Sequence, residues 1–284
     1  MSFATAMLAA VVVGTWNGNW FPSGRAEHRA HPDVEAATIK AAAKMLASAL
    51  AKADPSGTND VVLCLHEIRG PSVASNLVAK IRRKGLRVAV VSGYRRRDRF
   101  DQQQDVIATT LPVVDASWSR WKSAGRLTPP RGYAFATLVF SPAVTANVYA
   151  VHLKSNYRAG DQETRNQNRD KRALSIGQIL EQEVPRRGHM AARPVIVAGD
   201  MNADRWSADF ADERIFAALE KAGFDNPLER LPPEERCTFP SRFASHRDSA
   251  LDYVFVRGLS CQTPPLIEPN DGLSDHRALF VVLE

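Results

Sequence analysis

Eight short apolar runs, most of them rich in Val or Ile and each stopping at a polar residue, constrain this chain more than any other feature. They occupy residues 9–17, 60–67, 105–111, 133–140, 146–156, 194–202, 250–256 and 276–283. Runs of this length with β-branched enrichment read as strands buried on at least one face. Between them lie segments with helical spacing and clear punctuation. Residues 33–53 end at Asp54-Pro55-Ser56-Gly57, and a helix opened by Pro71 ends at Gly85. Residues 164–183 are stopped by Val184-Pro185, and residues 208–222 are closed by Gly223. The longest stretch without a pattern, residues 112–132, carries Trp118, Trp121 and four basic residues. Strands and helices mixed through to the last residue predict one α/β domain over residues 1–284. No fixed-period repeat or long linker divides it.

Composition removes several classes. At 284 residues, 44% hydrophobic and 24% charged, the chain is neither disordered, collagenous nor coiled coil. It is long enough to bury a core without staples. Cys64, Cys237 and Cys261 are too few and too scattered for a disulfide framework or a CxxC metal site. The apolar stretch 7–13 lacks a basic leader and the length of a membrane span, so it reads as a core strand and the chain as soluble. Lys and Arg number 37 against 31 Asp and Glu, a formal charge of +6 that permits a polyanionic partner without demonstrating one. The excess is local: residues 82–99 hold eight basic residues against one acid, Asp98. By itself such a run is a solvated loop and helix end.

Six strand ends finish on residues that carry chemistry: Asn17, Glu67, His152, Asp200 with Asn202, Asp252, and Asp275 with His276. One such end is a cap or a turn. Six on one rim would gather four carboxylates, two amides and two imidazoles, and burying that charge requires a cation or a substrate. The donors are hard oxygens suited to Mg²⁺, with Mn²⁺ or Ca²⁺ as alternatives. No HExxH, His-x-His or paired cysteine speaks for zinc. Mg²⁺ leaves coordination sites for water and phosphate oxygens, which suits phosphoryl chemistry. His276 supplies acid–base capacity, with Asp252 to fix its tautomer. A GxSxG elbow is lacking, so serine hydrolysis has no support.

WN at 16–17, HE at 66–67, VHLKS at 151–155, GDMNAD at 199–204, LDYVFV at 251–256 and SDH at 274–276 together resemble the ordered motif set of the endonuclease/exonuclease/phosphatase superfamily. The resemblance implies a four-layer αββα sandwich of two mostly antiparallel sheets flanked by helices, and Mg²⁺-dependent phosphoester hydrolysis. It implies a metal held by Glu67 with Asn17 and Asp275 nearby. Asp200 would orient or deprotonate the attacking water, and Asn202 would donate to the scissile phosphate. His276 with Asp252 would serve the in-line displacement, and His152 would face the phosphate as a second histidine. HLKS with GDMNAD is most similar to deoxyribonuclease I and bacterial extracellular nucleases, which implies substrate contacts from Arg69, Arg131, Lys154 and Asn156. SALDYVFV departs from the WCDRIL-like block of inositol polyphosphate 5-phosphatases, and His152 departs from exonuclease III-like enzymes.

Two positions depart from the deoxyribonuclease I pattern. Gln104 stands where an acid supports the second histidine, with Asp105 as a possible substitute, and His66 replaces the usual Gln before the metal-binding Glu. His66 is open to bonding the backbone or touching the metal shell. The leading expectation is a Mg²⁺-dependent nuclease of low sequence preference, DNA ahead of RNA as substrate, with the basic run tracking phosphates. Trp118 and Trp121 are open to stacking on bases or packing on the domain's own surface. The alternative is a sphingomyelinase-like or other lipid or small-molecule phosphoesterase, which needs an apolar membrane loop from residues 112–132. A non-catalytic binding module is the third reading. The chain is expected to be a monomer. Relatives imply secretion, while the lack of a leader leaves the cytoplasm as the alternative. Asn19 reads as a turn residue, and His28, His31, His189 and His246 as solvated.

Overall fold

Two sheets carry the chain, and each is built from the apolar runs in the order that places their polar ends together. The computed structural model describes residues 10–24, 31–94, 103–157, 159–186, 193–241, 248–261, 263–270 and 272–284. The elements are β1 (Val11–Phe21), α1 (Pro32–Ala53), β2 (Asp60–Ile68), α2 (Pro71–Ile81), β3 (Arg87–Val91), β4 (Gln104–Thr109), β5 (Val113–Arg120) and β6 (Gly132–Ser141). They continue with β7 (Val144–His152), α3 (Gln162–Arg186), β8 (Val195–Asp200), α4 (Ile215–Lys221), β9 (Asp252–Arg257), β10 (Leu266–Glu268) and β11 (Ala278–Leu283). One sheet has six strands in the order β10-β11-β1-β2-β4-β3, the other five in the order β5-β6-β7-β8-β9. Only β1–β2 and β7–β8 run parallel; every other pair is antiparallel.

Alternation along the strands sorts side chains between layers. In β1 and β2, Val12, Trp16, Val61, Leu63 and Leu65 face a core with α1 and α2. Their neighbours Val11, Val13, Val62 and Cys64 face the other way, into the core shared with the five-stranded sheet. Ile176 of α3 and Phe216 of α4 join the second core, so helices cover the outer face of each sheet. The result is the expected four-layer sandwich. All three cysteines are buried free thiols. No helix among the described residues is long and apolar enough to cross a membrane.

Several elements differ from expectation for physical reasons. The first half of 112–132 is not irregular: β5 is an edge strand, paired from Val113 to Arg120 with β6, while residues 121–131 form the loop between them. β5 lacks an apolar run because most of its residues face solvent. Trp121 is buried against Tyr133, and Trp118, 41% exposed, meets Tyr94 edge-on. Val114 and Trp118 are the large apolar side chains that β5 exposes, on a strand otherwise of small and polar residues. β3 and β10, of five and three residues, were also too short to stand out. The expected helix over 208–222 splits into a short turn at Ala208–Phe210 and α4, and the Glu213 carboxylate between them pairs with Arg172 of α3. α3 runs on to Arg186, past Pro185.

The basic run also differs. Arg83 donates to Asp54 and to the carbonyl of Asn59, and Arg87 donates to the carbonyl of Leu111. These groups surround Asp60, the first residue of β2, whereas Glu67 lies at the other end, roughly 23 Å away at about 3.3 Å per residue. This half of the run cannot flank the acidic strand ends. Arg95, Arg96, Arg97, Asp98 and Arg99 lie outside the described residues, as do Met7 to Ala9, His28, His189 and His246. His31 is exposed at the N-cap of α1.

Candidate active site

Strand register, not local sequence, assembles the site. In the five-stranded sheet His152 is directly opposite Asp200, and Asp200 directly opposite Asp252. Three adjacent strands thus set an imidazole and two carboxylates in one row. In the six-stranded sheet Asn17 is the register partner of His66, which puts Glu67 at the same rim.

Asn17 joins the two sheets. Its Nδ2 donates to Asp200 Oδ2 at 2.9 Å and to Glu67 Oε1 at 3.3 Å, while its Oδ1 accepts from the Asn19 amide. In this rotamer Asn17 presents nitrogen to the carboxylates and acts as a bridge between the acids. Glu67 Oε2 accepts from the Trp20 amide at 3.0 Å. Asp200 Oδ1 accepts from the Asn202 amide at 2.8 Å, and Asn202 Nδ2 donates to the carbonyl of Leu153. His152 Nε2 stands 3.5 Å from Asp200 Oδ2 and 3.6 Å from Glu67 Oε1.

His276 Nδ1 lies 2.8 Å from Asp252 Oδ2, the pairing expected from the sequence. Its Nε2 faces Asp200 at 3.8 Å and Asp275 at 4.0 Å. Ser274 places this loop by donating to the carbonyl of Asn17 and accepting from the His276 amide. Phe239 packs edge-on against the imidazole, and Thr238 Oγ1 accepts from the Asp252 amide. Neither Thr238 nor Phe239 carries a signal in the sequence, since no motif surrounds them. Glu67, Asn202, Arg131 and Asn19 all have φ between 51° and 65°. Such left-handed backbone is uncommon outside glycine and gathers where a site dictates geometry.

Of the residues expected to contact substrate, Arg131 and Arg69 are engaged within the protein. Arg131 donates to the carbonyls of His152 and Leu153 and to Gln103. Arg69 forms a fork on Glu35 of α1 and also donates to Ser23. Lys154 Nζ donates to the Ser155 carbonyl, and Asn156 Oδ1 accepts from Arg172. Neither Gln104 nor Asp105 supports His152: Gln104 closes the turn at Ser92 and Tyr94, and Asp105 grips His66. His152 Nδ1 is buried without a hydrogen-bond partner among the described residues.

Electrostatics divide the roles. Burial pushes His152 well below the usual histidine range and the Arg131 charge adds to that, so the imidazole is neutral. Burial raises Asp200 to about 7, opposed by His276 and reinforced by Asp252. Burial alone would lower His276, but Asp252 and Asp200 outweigh it and raise the imidazole to about 10. Asp252 Oδ1 is buried with no hydrogen-bond partner among the described residues. Asp200, Asp252 and His276 present ligand atoms within 4.8 Å of one another. Glu67, Asp200 and Asp252 bring buried carboxylate oxygens to this rim, with the Asp200 carboxyl forced upward by burial, and such a donor set fits a hard divalent cation.

A model of the Endonuclease/Exonuclease/phosphatase family matches residues 14–276. No curated protein matches the chain. Among solved structures, a humanized D. rerio TDP2 is 17% identical, with TM-score 0.62, covering 97% of this chain and 99% of that one. SmcL is 14% identical, with TM-score 0.60 and the same coverage. An endonuclease/exonuclease/phosphatase family protein from Leptotrichia buccalis C-1013-b is 14% identical, with TM-score 0.63, covering 96% of this chain and 99% of that one. At these identities the structures speak for the fold alone, and it is the family model, spanning every strand end in the site, by which this chain belongs to the endonuclease/exonuclease/phosphatase family.

Proposed function

We propose that this chain is a divalent-metal-dependent phosphodiesterase, a nuclease that hydrolyses DNA with little sequence preference. The observation that carries the reading is the row His152–Asp200–Asp252, with His276 bonded to Asp252 and Glu67 held opposite by Asn17. Glu67 and Asp275, with Asn17 alongside, would hold a cation such as Mg²⁺, which when bound stabilises charge building on the phosphate oxygens. Asp200, raised toward neutrality by burial, is matched to taking a proton from the attacking water. His276, kept cationic beside Asp252, offers positive charge to the phosphorane-like transition state. Neutral His152, whose Nε2 faces Asp200 and Glu67, would donate from that nitrogen to a nonbridging oxygen held between them. Asn202, fixed on the Leu153 carbonyl, lies beside Asp200 for a further amide donor.

The test is a gel assay with supercoiled DNA, linear DNA and RNA in Mg²⁺ or Mn²⁺, with EDTA controls. Nicking of supercoiled DNA that EDTA stops, and that Asp200→Ala or His276→Ala abolishes, is the expected result. DNA and RNA left intact across divalent ions would overturn the reading.

A further inference from the structure

His66 precedes Glu67, and the strand that carries both loses its ladder at this point. β2 pairs with β4 in register up to Leu65 and resumes at Ile68, with the shift falling on His66 and Glu67. On the other side β1 and β2 pair up to Asn17 and His66, and resume only at Phe21 and Ile68. Glu67 therefore stands in a bulge, with φ 57°, where neither neighbouring strand holds the backbone in regular register. A bulge carrying a functional carboxylate needs some other restraint, because an unpaired stretch of backbone has several conformations of similar energy.

The His66 side chain is placed to supply it. The alternation that turns Leu65 toward the helices turns His66 into the space between the sheets. Its Nδ1 lies 2.8 Å from Asp105 Oδ1 on β4, and its Nε2 lies 3.1 Å from Thr15 Oγ1 on β1. Both ring nitrogens are thus bonded, one to each flanking strand, across the gap in the ladder. His66 and Asp105 are fully buried. The imidazole also rests on Gly199 of the opposite sheet, where a Cβ would come within 2.8 Å of the ring. Gly199 immediately precedes Asp200, and Thr15 lies two residues before Asn17. One ring thus touches the strands that carry Asn17, Glu67 and Asp200.

We propose that the buried Thr15–His66–Asp105 bridge is a positioning device: it pins the β2 bulge and sets Glu67 against Asp200 across the two sheets. These residues do not meet substrate; they act through Glu67 and Asp200. The inference rests on the phosphodiesterase reading for its effect on catalysis, but not for its effect on cation binding.

The test compares purified His66→Leu, His66→Gln and native protein by calorimetric Mn²⁺ titration, kcat and KM on DNA, and thermal unfolding. Leu fills the space without bonding either strand, whereas Gln retains a donor and an acceptor. His66→Leu is expected to weaken Mn²⁺ binding and lower kcat by about 10–100-fold with KM little changed, as for the loss of groups that orient metal ligands. His66→Gln is expected to restore most of both. Folded His66→Leu with native Mn²⁺ affinity and kcat would overturn the proposal, as would equal defects in Leu and Gln. If His66→Leu does not fold, near-isosteric Thr15→Val, which removes only the hydroxyl bond, is expected to weaken Mn²⁺ binding, and native affinity there would overturn the proposal. A native protein that binds Mn²⁺ but cleaves neither DNA nor RNA would sink the nuclease reading alone, and the Mn²⁺ titrations would still decide the role of the bridge.

Discussion

His276 Nδ1 stands 2.8 Å from Asp252 Oδ2, and both groups are buried on different elements: Asp252 opens β9, and His276 lies just before β11 of the other sheet. The contact crosses the sandwich. It is possible because Thr238 holds the Asp252 amide while Ser274 ties the His276 loop to the Asn17 carbonyl. The sheet that carries Glu67 and the sheet that carries Asp200 are thus joined twice at one rim, by this pair and by Asn17.

Asp252→Asn tests what that contact does to the proton. With the carboxylate removed, burial is opposed only by the Asp200 and Asp275 charges, and the His276 pKa should fall from about 10. Activity at neutral pH should drop by about 10²–10³-fold, the usual scale for losing one group that stabilises transition-state charge. A pH–rate profile with NMR titration of the imidazole checks both; an unchanged profile would dismiss the assigned role.

Arg131 is expected to act through the backbone of β7. Its guanidinium forks onto the carbonyls of His152 and Leu153 at 2.9 and 2.5 Å, and Asn202 donates to the second of these. Arg131→Lys keeps a charge but cannot reproduce the fork. Its kcat should fall about tenfold or more as His152 and Asn202 lose their common anchor. If Arg131 instead gripped the substrate directly, KM would rise while kcat held.

The strand ends were legible in the sequence because a buried run that stops at Asn, Asp, Glu or His advertises both its length and its polar tip. Asn17, Glu67, His152, Asp200, Asp252 and His276 all meet at one rim for that reason. What was not legible depends on partners distant in the chain. β5 shows no apolar pattern because it is an edge strand with solvent on much of its surface. Arg83 and Arg87 look like part of a continuous basic flank until register sends them to the far end of β2. Arg69 is a substrate contact by resemblance, yet Glu35, 34 residues earlier, already holds it in a two-pronged ion pair. Asp105 is open in the sequence as a support for His152, and only the pairing of β2 with β4 shows that His66 is the histidine it reaches.

Arg172 and Glu213 form an ion pair with side chains 2% and 1% exposed, at 2.6 Å. Removing one partner strands a buried charge, so Arg172→Met should cost about 3–5 kcal/mol in urea unfolding. Adding Glu213→Gln should recover part of that loss. Arg172 also donates to the Lys154 carbonyl and to Asn156, so the loop following His152 should loosen in both variants. Equal stability of native protein and single variant would show the pair to be idle.

Asp200→Asn should separate activity from stability. In the folded, metal-free protein the Asp200 carboxyl titrates near 7 rather than 3.8, chiefly through burial. Between those values the folded state holds a proton that the unfolded chain has released, so stability falls as pH rises from about 4 through 7. Above 7 the folded state carries a buried charge whose cost the unfolded chain escapes. His276 acts in the same direction at higher pH: its contribution to stability is complete below 6.5 and is lost as pH rises through about 10. Asn keeps the shape of Asp200 and removes its charge, so metal-free Asp200→Asn should melt several degrees above native at pH 8, with the gap closing near pH 4. It should also lose cleavage, and Mn²⁺ should stabilise it less than it stabilises native protein. Calorimetric melts at the two pH values, with and without Mn²⁺, decide the matter; a variant less stable than native at pH 8 would mean that the carboxylate is well compensated without a cation, and the case for a metal at this rim would lose its physical basis.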